Sequence, residues 1–538
     1  MTDRRTFLKH GSLAAVGLVG LPRWMRIMEP TSSNGADRVR DLAQRAIEAA
    51  RDAGATYAEA RLTRQISEVF NGSALGGHAE EFGVAVRALY NGYWGFAGSP
   101  YWNADDVVDQ ARSAANQAKV YARGRPHTVD WPPIPVASGS WSTPIRYDPF
   151  TIPIEEKTDH AASWEQLARE FHPHTNGAMT GMSFVRRECA VATTEGAYFT
   201  QTTYVSGGRF VLLYKPWNAE GNLDNAEADA QGLMHTGAGW ELFLDAKIPD
   251  QFPALLAQCE AQLQEEKSDP KPGEVGRYTI VCDALTMANI LVNTIGVGTQ
   301  LDRALGYEAN TGMTSYLGPD PMTFLGDPIA APLVTVRADR SMPRGLATVQ
   351  WDAEGVRPEP FTLVDKGTLV DYQTTREQAA WLAPWYQKRG KTVRSNGCAN
   401  AESGLFTTMQ HFPNLTLEPW PRDIDFDALV AATPRGLAVQ HGAGEPNFNG
   451  GQMLLRHFGC REIVDGKLGR SVAGIVPLFG STDFWKHVVA LGGPSSAVQY
   501  PIFGVDKGEP GQATPFSVRT VPAQVANVAF ISGARVGK

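Results

Sequence analysis

The chain has 538 residues, with 49 Lys plus Arg against 57 Asp plus Glu and a formal charge of −8; at roughly 150 residues per domain it is too long for one ordinary domain. A hydrophobic fraction of 43% with only 20% charged residues can fill sizeable cores, which excludes a disordered or fibrous chain, and the acidic balance leaves no electrostatic footprint for a nucleic-acid partner. The 5 cysteines, Cys189, Cys259, Cys282, Cys398 and Cys460, are odd in number, far apart and without a CxxC pair, so neither a disulfide framework nor a thiolate zinc ribbon is expected.

The first segment reads Asp3-Arg4-Arg5-Thr6-Phe7-Leu8-Lys9 and runs into the small and apolar stretch Gly11 to Leu21. A charged lead before a short hydrophobic run is the layout of an export signal, and the paired arginines resemble the twin-arginine class. Residues 1–36 are therefore expected to be a twin-arginine-type signal and linker, giving a periplasmic or exported protein. No later segment has 18 consecutive apolar residues, so no membrane span is expected beyond the leader.

From Asp37 to Ala53, Val39, Leu42, Ala43, Ile47 and Ala50 recur at helical spacing and Gly54 ends the pattern, which predicts a helix. Alternation over Tyr57 to Phe70 and Gly83 to Ala97, with Asn91-Gly92 as a turn, predicts strands and a hairpin. Val107, Val108, Ala111, Ala114 and Ala118 give a second helix over Asp105 to Tyr121. These elements make a small N-terminal α/β domain over residues 37–123.

Six prolines, at 126, 132, 133, 135, 144 and 149, mark residues 124–150 as an extended connector and a domain boundary. A central α/β domain over 151–273 is expected, with a helix from Ser163 to Phe171, strands from Met182 to Tyr214 turning at Thr194-Glu195-Gly196, and helices at Asn225 to Met234 and Phe252 to Lys267. In residues 274–538, Thr279 to Cys282 reads as a strand. Asp283 is placed as the N-cap of an apolar helix, Leu285 to Ile295. Short β runs at Leu346 to Trp351, Phe361 to Tyr372, near Leu415, Arg461 to Asp465 and Phe516 to Ile531 make this C-terminal domain large and β-rich. The fold class is α+β.

Five short motifs then follow one another: Leu301-Asp302-Arg303-Ala304-Leu305-Gly306-Tyr307-Glu308-Ala309, Arg394-Ser395-Asn396-Gly397, Leu415-Thr416-Leu417-Glu418-Pro419, Asp465-Gly466-Lys467-Leu468-Gly469-Arg470 and Lys507-Gly508-Glu509-Pro510-Gly511-Gln512. Together with Gly54 to Glu59, Gly83 to Arg87 and Gly92 to Ala97, they resemble the TldD/PmbA family of metallopeptidases from about residue 38 to the end. The resemblance implies a HExxxH helix just before the Leu-Asp-Arg segment and a cysteine just before the Gly-Lys-Gly-x-Pro-Gly-Gln segment. Two imidazoles and a thiolate would hold zinc with one open position, and the glutamate would take a proton from bound water. Because residues five apart lie off one face of an ideal helix, a softened helix is required, and Gly296 and Gly298 offer that softness.

In this chain the two histidine positions fall on Val292 and Val297, the glutamate position on Asn293 and the cysteine position on Val505. Valine has no lone pair to give a metal, and an amide has no useful basicity near neutral pH. There is no histidine between Ile280 and Ala304, and neither histidine nor cysteine between His487 and Lys538, so a slip of a few residues does not restore the set. The expectation is a degenerate member with no cofactor; zinc held at a displaced site is the alternative.

His172, His174, His235, His411, His441 and His457 are expected to be structural. Cys398 has no local partner that would make it a nucleophile, and GxSxG, P-loop and GxGxxG signatures are absent. Asp302 and Arg303 are expected to form an ion pair that lines a substrate cleft or serves structure alone, and Asn293 either contacts a substrate backbone or satisfies its own. The functional expectation is a metal-free, noncatalytic subunit with a peptide-accommodating cleft, a homodimer or a heterodimer with a TldD-like paralogue. The alternatives are a metallopeptidase with a displaced or partner-supplied zinc site, and a solitary exported peptide-binding protein.

Overall fold

The computed structural model describes residues 33–124, 129, 131–266 and 269–533; the expected export signal lies outside the described residues. Helix α1 (Ser33–Asp52) starts ahead of the expected Asp37 and buries Leu42, Ala43, Ala46, Ile47 and Ala50. Strands β1 (Tyr57–Asn71), β2 (Ala74–Tyr90) and β3 (Tyr93–Ser99) form antiparallel hairpins. Asn91 and Gly92 between β2 and β3 both have positive φ, as a tight two-residue turn demands. Helix α2 (Ala104–Tyr121) is capped by Asn103, whose side chain accepts the Asp106 amide at 2.8 Å, and packs with α1 on the sheet.

Two expected domains turn out to share this sheet. Strand β4 (Ser138–Ser142) lies within the supposed connector and pairs parallel with β6 (Tyr198–Tyr214). Strand β5 (Thr175–Thr193) pairs with β1 on one side and β6 on the other. The order is β3-β2-β1-β5-β6-β4, with β7 (Ala226–Asp229) also on β6. The segment 225–234, expected as a helix, is thus a strand followed by turns: pairing with the free side of β6 outweighs the weak helical preference of a stretch rich in Ala, Asp and Glu. Helix α3 (Ile154–Phe171) begins before the expected Ser163; after α4 (Glu241–Asp245) comes α5 (Phe252–Glu266), which packs beside α3 over a core of Phe184, Phe210, Trp240 and Phe243.

The C-terminal part is built on two larger sheets. The first contains β8 (Lys271–Pro272), β9 (Gly276–Cys282), β16 (Arg435–Pro446), β17 (Gln452–Val464), β18 (Lys467–Ala473), β19 (Ile475–Gly480), β20 (Val488–Leu491) and β23 (Ala523–Ser532). Its path β16-β9-β23-β19-β17 closes on itself because β16 also pairs with β17, making a small barrel. The second, in the order β12-β11-β10-β15-β22-β21, is formed by β10 (Val336–Asp339), β11 (Phe361–Asp365), β12 (Thr368–Leu369), β15 (Asn414–Leu417), β21 (Val498–Ile502) and β22 (Phe516–Thr520). A short pair, β13 (Ala399–Asn400) and β14 (Met409–Gln410), lies apart. Residues 346–351, expected as a strand, are turns instead, because side chains claim their backbone groups: Ser517 Oγ accepts the Leu346 amide, Asn414 Oδ1 that of Ala347, and Gln201 Oε1 those of Gln350 and Trp351.

Buried charges bind the seven-stranded sheet to the C-terminal part. Arg87 of β2 pairs with Glu59 of β1 at 3.0 Å and with Glu354 at 2.8 Å, while Glu354 accepts the Arg376 amide at 2.9 Å and the Arg376 guanidinium reaches Glu195 at 2.7 Å. Arg61 and Glu59 both meet the Thr408 hydroxyl.

Candidate functional site

Helix α6 (Ala284–Leu291) leaves β9 through Asp283, whose carboxylate accepts the Thr286 amide at 2.8 Å as the expected N-cap. Its apolar residues are buried, so the helix is threaded through the core and is not laid upon it. The next five residues, Val292–Gly296, form a π-helical turn, and the Val297 amide bonds back to the Val292 carbonyl. Widening the turn to i→i+5 bonding carries residues 292 and 297 toward one face, which an α-helix does not do.

Side chains hold that turn open. Thr294 Oγ1 donates to the Ile290 carbonyl and accepts the Trp485 indole N–H at 2.8 Å; Thr299 Oγ1 donates to the Ile295 carbonyl at 2.7 Å; Gln373 Nε2 donates to the Gly296 carbonyl at 2.7 Å. The glycines serve close approach: a Cβ on Gly298 would lie 2.4 Å from the Tyr316 ring, and one on Gly296 3.2 Å from Leu415 and Phe412.

Val292 and Val297 are each 2% exposed and belong to the C-terminal core. The turn at Asn447 to Gly451 lies against Val297, since a Cβ on Gly450 would lie 3.4 Å from both Val297 Cγ1 and the Asn293 carbonyl oxygen. Val505 is half-buried and packs on the margin of the same core. Asn293 Nδ2 donates to the Asn289 carbonyl at 2.9 Å, so the amide satisfies its own helix. The residues present do not fit a zinc ion at these positions: the three places where ligands were expected carry hydrocarbon, two are packed shut, and the place expected for the base carries a committed amide. Among the described residues no group of three His, Cys, Asp or Glu side chains is arranged to hold a metal ion.

Beyond the π turn, Gln300 and the short helix α7 (Leu301–Ala304) carry Asp302 and Arg303. The expected pair between these two side chains does not form. Asp302 Oδ2 meets Lys507 Nζ at 2.7 Å, while its Oδ1 accepts the Arg303 backbone amide. The Arg303 guanidinium instead reaches Glu308 at 3.5 Å and donates to the Asp506 carbonyl at 3.0 Å, and Lys507 also meets Glu308 at 2.8 Å. Neighbouring residues on a helical turn point about 100° apart, so adjacency in sequence did not make them partners. All four side chains are buried, with Arg303 0% and Lys507 1% exposed; Asp302 and Arg303 are enclosed and do not line an open cleft. Burial raises the Asp302 carboxyl against the pull of Lys507, whereas at Glu308 Lys507 and Arg303 together outweigh burial and lower it.

Lys507 and Glu308 stood inside recognised motifs, yet their roles were not legible there. The segment Lys507 to Gln512 is a closed turn with reciprocal backbone hydrogen bonds between its end residues. Gln512 Oε1 accepts the Glu402 amide at 3.1 Å and faces His411 Nε2 at 3.2 Å. Burial and then nearby Lys507 push His411 down to about 3, so the imidazole is neutral near pH 7. His235 Nε2 lies 2.7 Å from Ser183 Oγ and its ring meets Phe503 edge-on. His172 and His174 meet at a tilt beside Tyr214, His441 sits beside Asp283, and His457 is exposed on β17. Cys398 is fully buried and burial pushes its thiol up to about 12, which removes the thiolate a nucleophile needs.

Residues 275–514 match the family model of the PmbA/TldA metallopeptidase C-terminal domain. A metalloprotease of Methanocaldococcus jannaschii is 20% identical over 375 residues, covering 67% of this chain and 72% of the relative. The crystal structure of a candidate modulator of DNA gyrase from Bacteroides thetaiotaomicron superposes with a TM-score of 0.63 at 15% identity, covering 93% of this chain and 99% of that one. A corresponding protein of Thermotoga maritima gives 0.62 at 15% identity, over 92% and 100%, and TldE from Thermococcus kodakarensis gives 0.61 at 14%, also over 92% and 100%. Residues 275–514 thus match the PmbA/TldA C-terminal domain in sequence, and the α+β fold of the chain is TldD/PmbA-like over nearly its whole length.

Proposed function

We propose that this chain is a noncatalytic TldD/PmbA subunit that works as a dimer, accommodates peptide, and is exported through the twin-arginine pathway. The observation that carries the reading is the pairing of a π-helical turn with the wrong side chains. The π turn carries residues 292 and 297 toward one face, and both are valines packed into the core. Pairing with a zinc-bearing paralogue gives such a subunit a use, because the partner then supplies the chemistry. All five cysteines are free thiols, which agrees with folding in a reducing compartment before export of the folded chain. The metallopeptidase alternative draws on the relative named a metalloprotease, and it requires donors that these positions do not have.

The test is elemental analysis of the purified chain together with cleavage of unstructured peptides before and after chelation. The expected result is substoichiometric zinc and no chelator-sensitive cleavage. One tightly bound zinc per chain with cleavage that chelation abolishes would overturn the reading.

A further inference from the structure

The short helix α8 (Arg376–Ala379) runs on as a helical turn through Ala380 to Leu382. Its start is closed by other groups: Thr375 and Gln378 cap it reciprocally, and Glu354 accepts the Arg376 amide at 2.9 Å. Glu377 is therefore not spent on the helix end. Its Oε2 accepts the Trp94 indole N–H at 2.9 Å, and among the described residues no basic side chain forms an ion pair with it. The cations beside it in sequence and sheet are taken, Arg376 by Glu195 and Arg87 by Glu59 and Glu354. Trp94 is fixed in turn: Arg87 lies over its ring at 4.1 Å, and Tyr57 and Trp131 meet it at 5.9 and 5.7 Å.

Four residues after Glu377, about one helical turn, comes Trp381, 53% exposed. Ala379, Leu382 and Tyr386 supply the buried side of this segment, so Trp381 is not needed to seat it. Tyr307, 49% exposed, reaches the same place from the loop after α7. Burial, then the Glu377 charge, raises the Tyr307 phenol, and a hydrogen bond from the Trp381 indole opposes them; carboxylate, indole and phenol are thus neighbours. Two large aromatic side chains from separate segments stand in water beside a carboxylate that has no cation.

We propose that Glu377, Trp381 and Tyr307 form a site for an organic cation, the ammonium or guanidinium of a basic side chain on a bound peptide. The carboxylate supplies the charge through Oε1, which the Trp94 bond leaves open. The aromatic rings attract a cation through their negative faces and cover its hydrocarbon stem. An acidic side chain at the same place would meet Glu377 as a like charge, so the site selects basic over acidic sequences.

This assignment deepens the peptide reading above and rests on it for the source of the cation, and the experiment keeps the two apart. Calorimetry measures binding to the full chain of an unstructured peptide with one arginine, the same peptide with glutamine in that place, and methylguanidinium alone. The chain is compared with Glu377→Gln, whose amide oxygen still accepts the Trp94 N–H, and with Trp381→Leu at an exposed position; both are expected to keep the wild-type unfolding temperature. The expected result is that the arginine peptide binds the wild-type chain about tenfold more tightly than the glutamine peptide, and that each substitution removes this margin without changing the glutamine peptide. Methylguanidinium bound and weakened by both substitutions, with neither peptide bound, would keep the cation site, make its ligand a free guanidine or amine, and overturn the peptide reading. Equal binding of the two peptides to the wild-type chain, or a margin that survives both substitutions, would overturn the cation site and leave the peptide reading standing. No binding of any probe would overturn both.

Discussion

Lys507 is the residue on which two turns of this site converge. Its ammonium is 0% exposed at the side chain and sits 2.7 Å from Asp302 and 2.8 Å from Glu308, joining the turn that follows Val505 to the segment that follows the π helix. Replacing it by methionine keeps most of the apolar stem but leaves two buried carboxylates facing one another, with only Arg303 to offset them. Removing one partner of a buried pair costs about 3–5 kcal/mol. Lys507→Met should therefore lower the denaturant midpoint by a corresponding amount at neutral pH, and a loss under about 1 kcal/mol would show the network to be dispensable. The motifs Leu301 to Ala309 and Lys507 to Gln512 were legible as signs of kinship, because order along a chain is readable. Which charge meets which was not, because that depends on how two segments some 200 residues apart are brought together.

At the scale of the element, the question posed by the sequence was how two positions five apart could share a face, and the answer lies in hydrogen bonding more than in glycine. Thr294 is the hinge of the π turn: fully buried, it gives its proton to the Ile290 carbonyl and accepts from Trp485, itself 0% exposed. Thr294→Val keeps the shape and removes both bonds, stranding an indole N–H in the core at a cost of about 1–3 kcal/mol. The expected outcome is a lowered thermal midpoint together with a shifted tryptophan fluorescence spectrum; an unchanged spectrum and midpoint would mean the turn is held by other contacts. The helix itself and its Asp283 cap could be read directly, since an N-cap and an apolar run are local signals. The widened turn could not, because its supports, Gln373 and Trp485, are distant in sequence. For the same reason Ala226–Asp229 is a strand where its composition suggests a helix: short runs take their identity from the neighbour they pair with, here β6.

For the molecule as a whole, the proline-rich stretch suggested an extended connector at a domain boundary, yet β4 stitches it into the sheet and the Arg87 network clamps that sheet to the C-terminal part. Prolines report where a helix cannot run, and they do not report whether an extended segment is paired. The clamp has an energetic consequence. Glu59 and Glu354 are 2% and 1% exposed, and Arg87 is the cation that both share. Burial already raises the Glu354 carboxyl, with Arg87 the main opposing influence. Arg87→Met removes that influence, so the folded-state Glu354 carboxyl rises further above its unfolded value. A group raised on folding contributes stability that is present at low pH and lost as pH climbs through the folded value. The variant should thus lose about 3–5 kcal/mol near neutrality, and its deficit relative to wild type should be smaller at pH 5 than at pH 8. Calorimetry at the two pH values decides the matter, and it also reads cooperativity: with the clamp intact the sheet and the C-terminal part should unfold in one transition, and in Arg87→Met the transition should broaden or divide. A deficit that is the same at both pH values, in a single undivided transition, would mean that the buried arginine fills space between the two parts without coupling them.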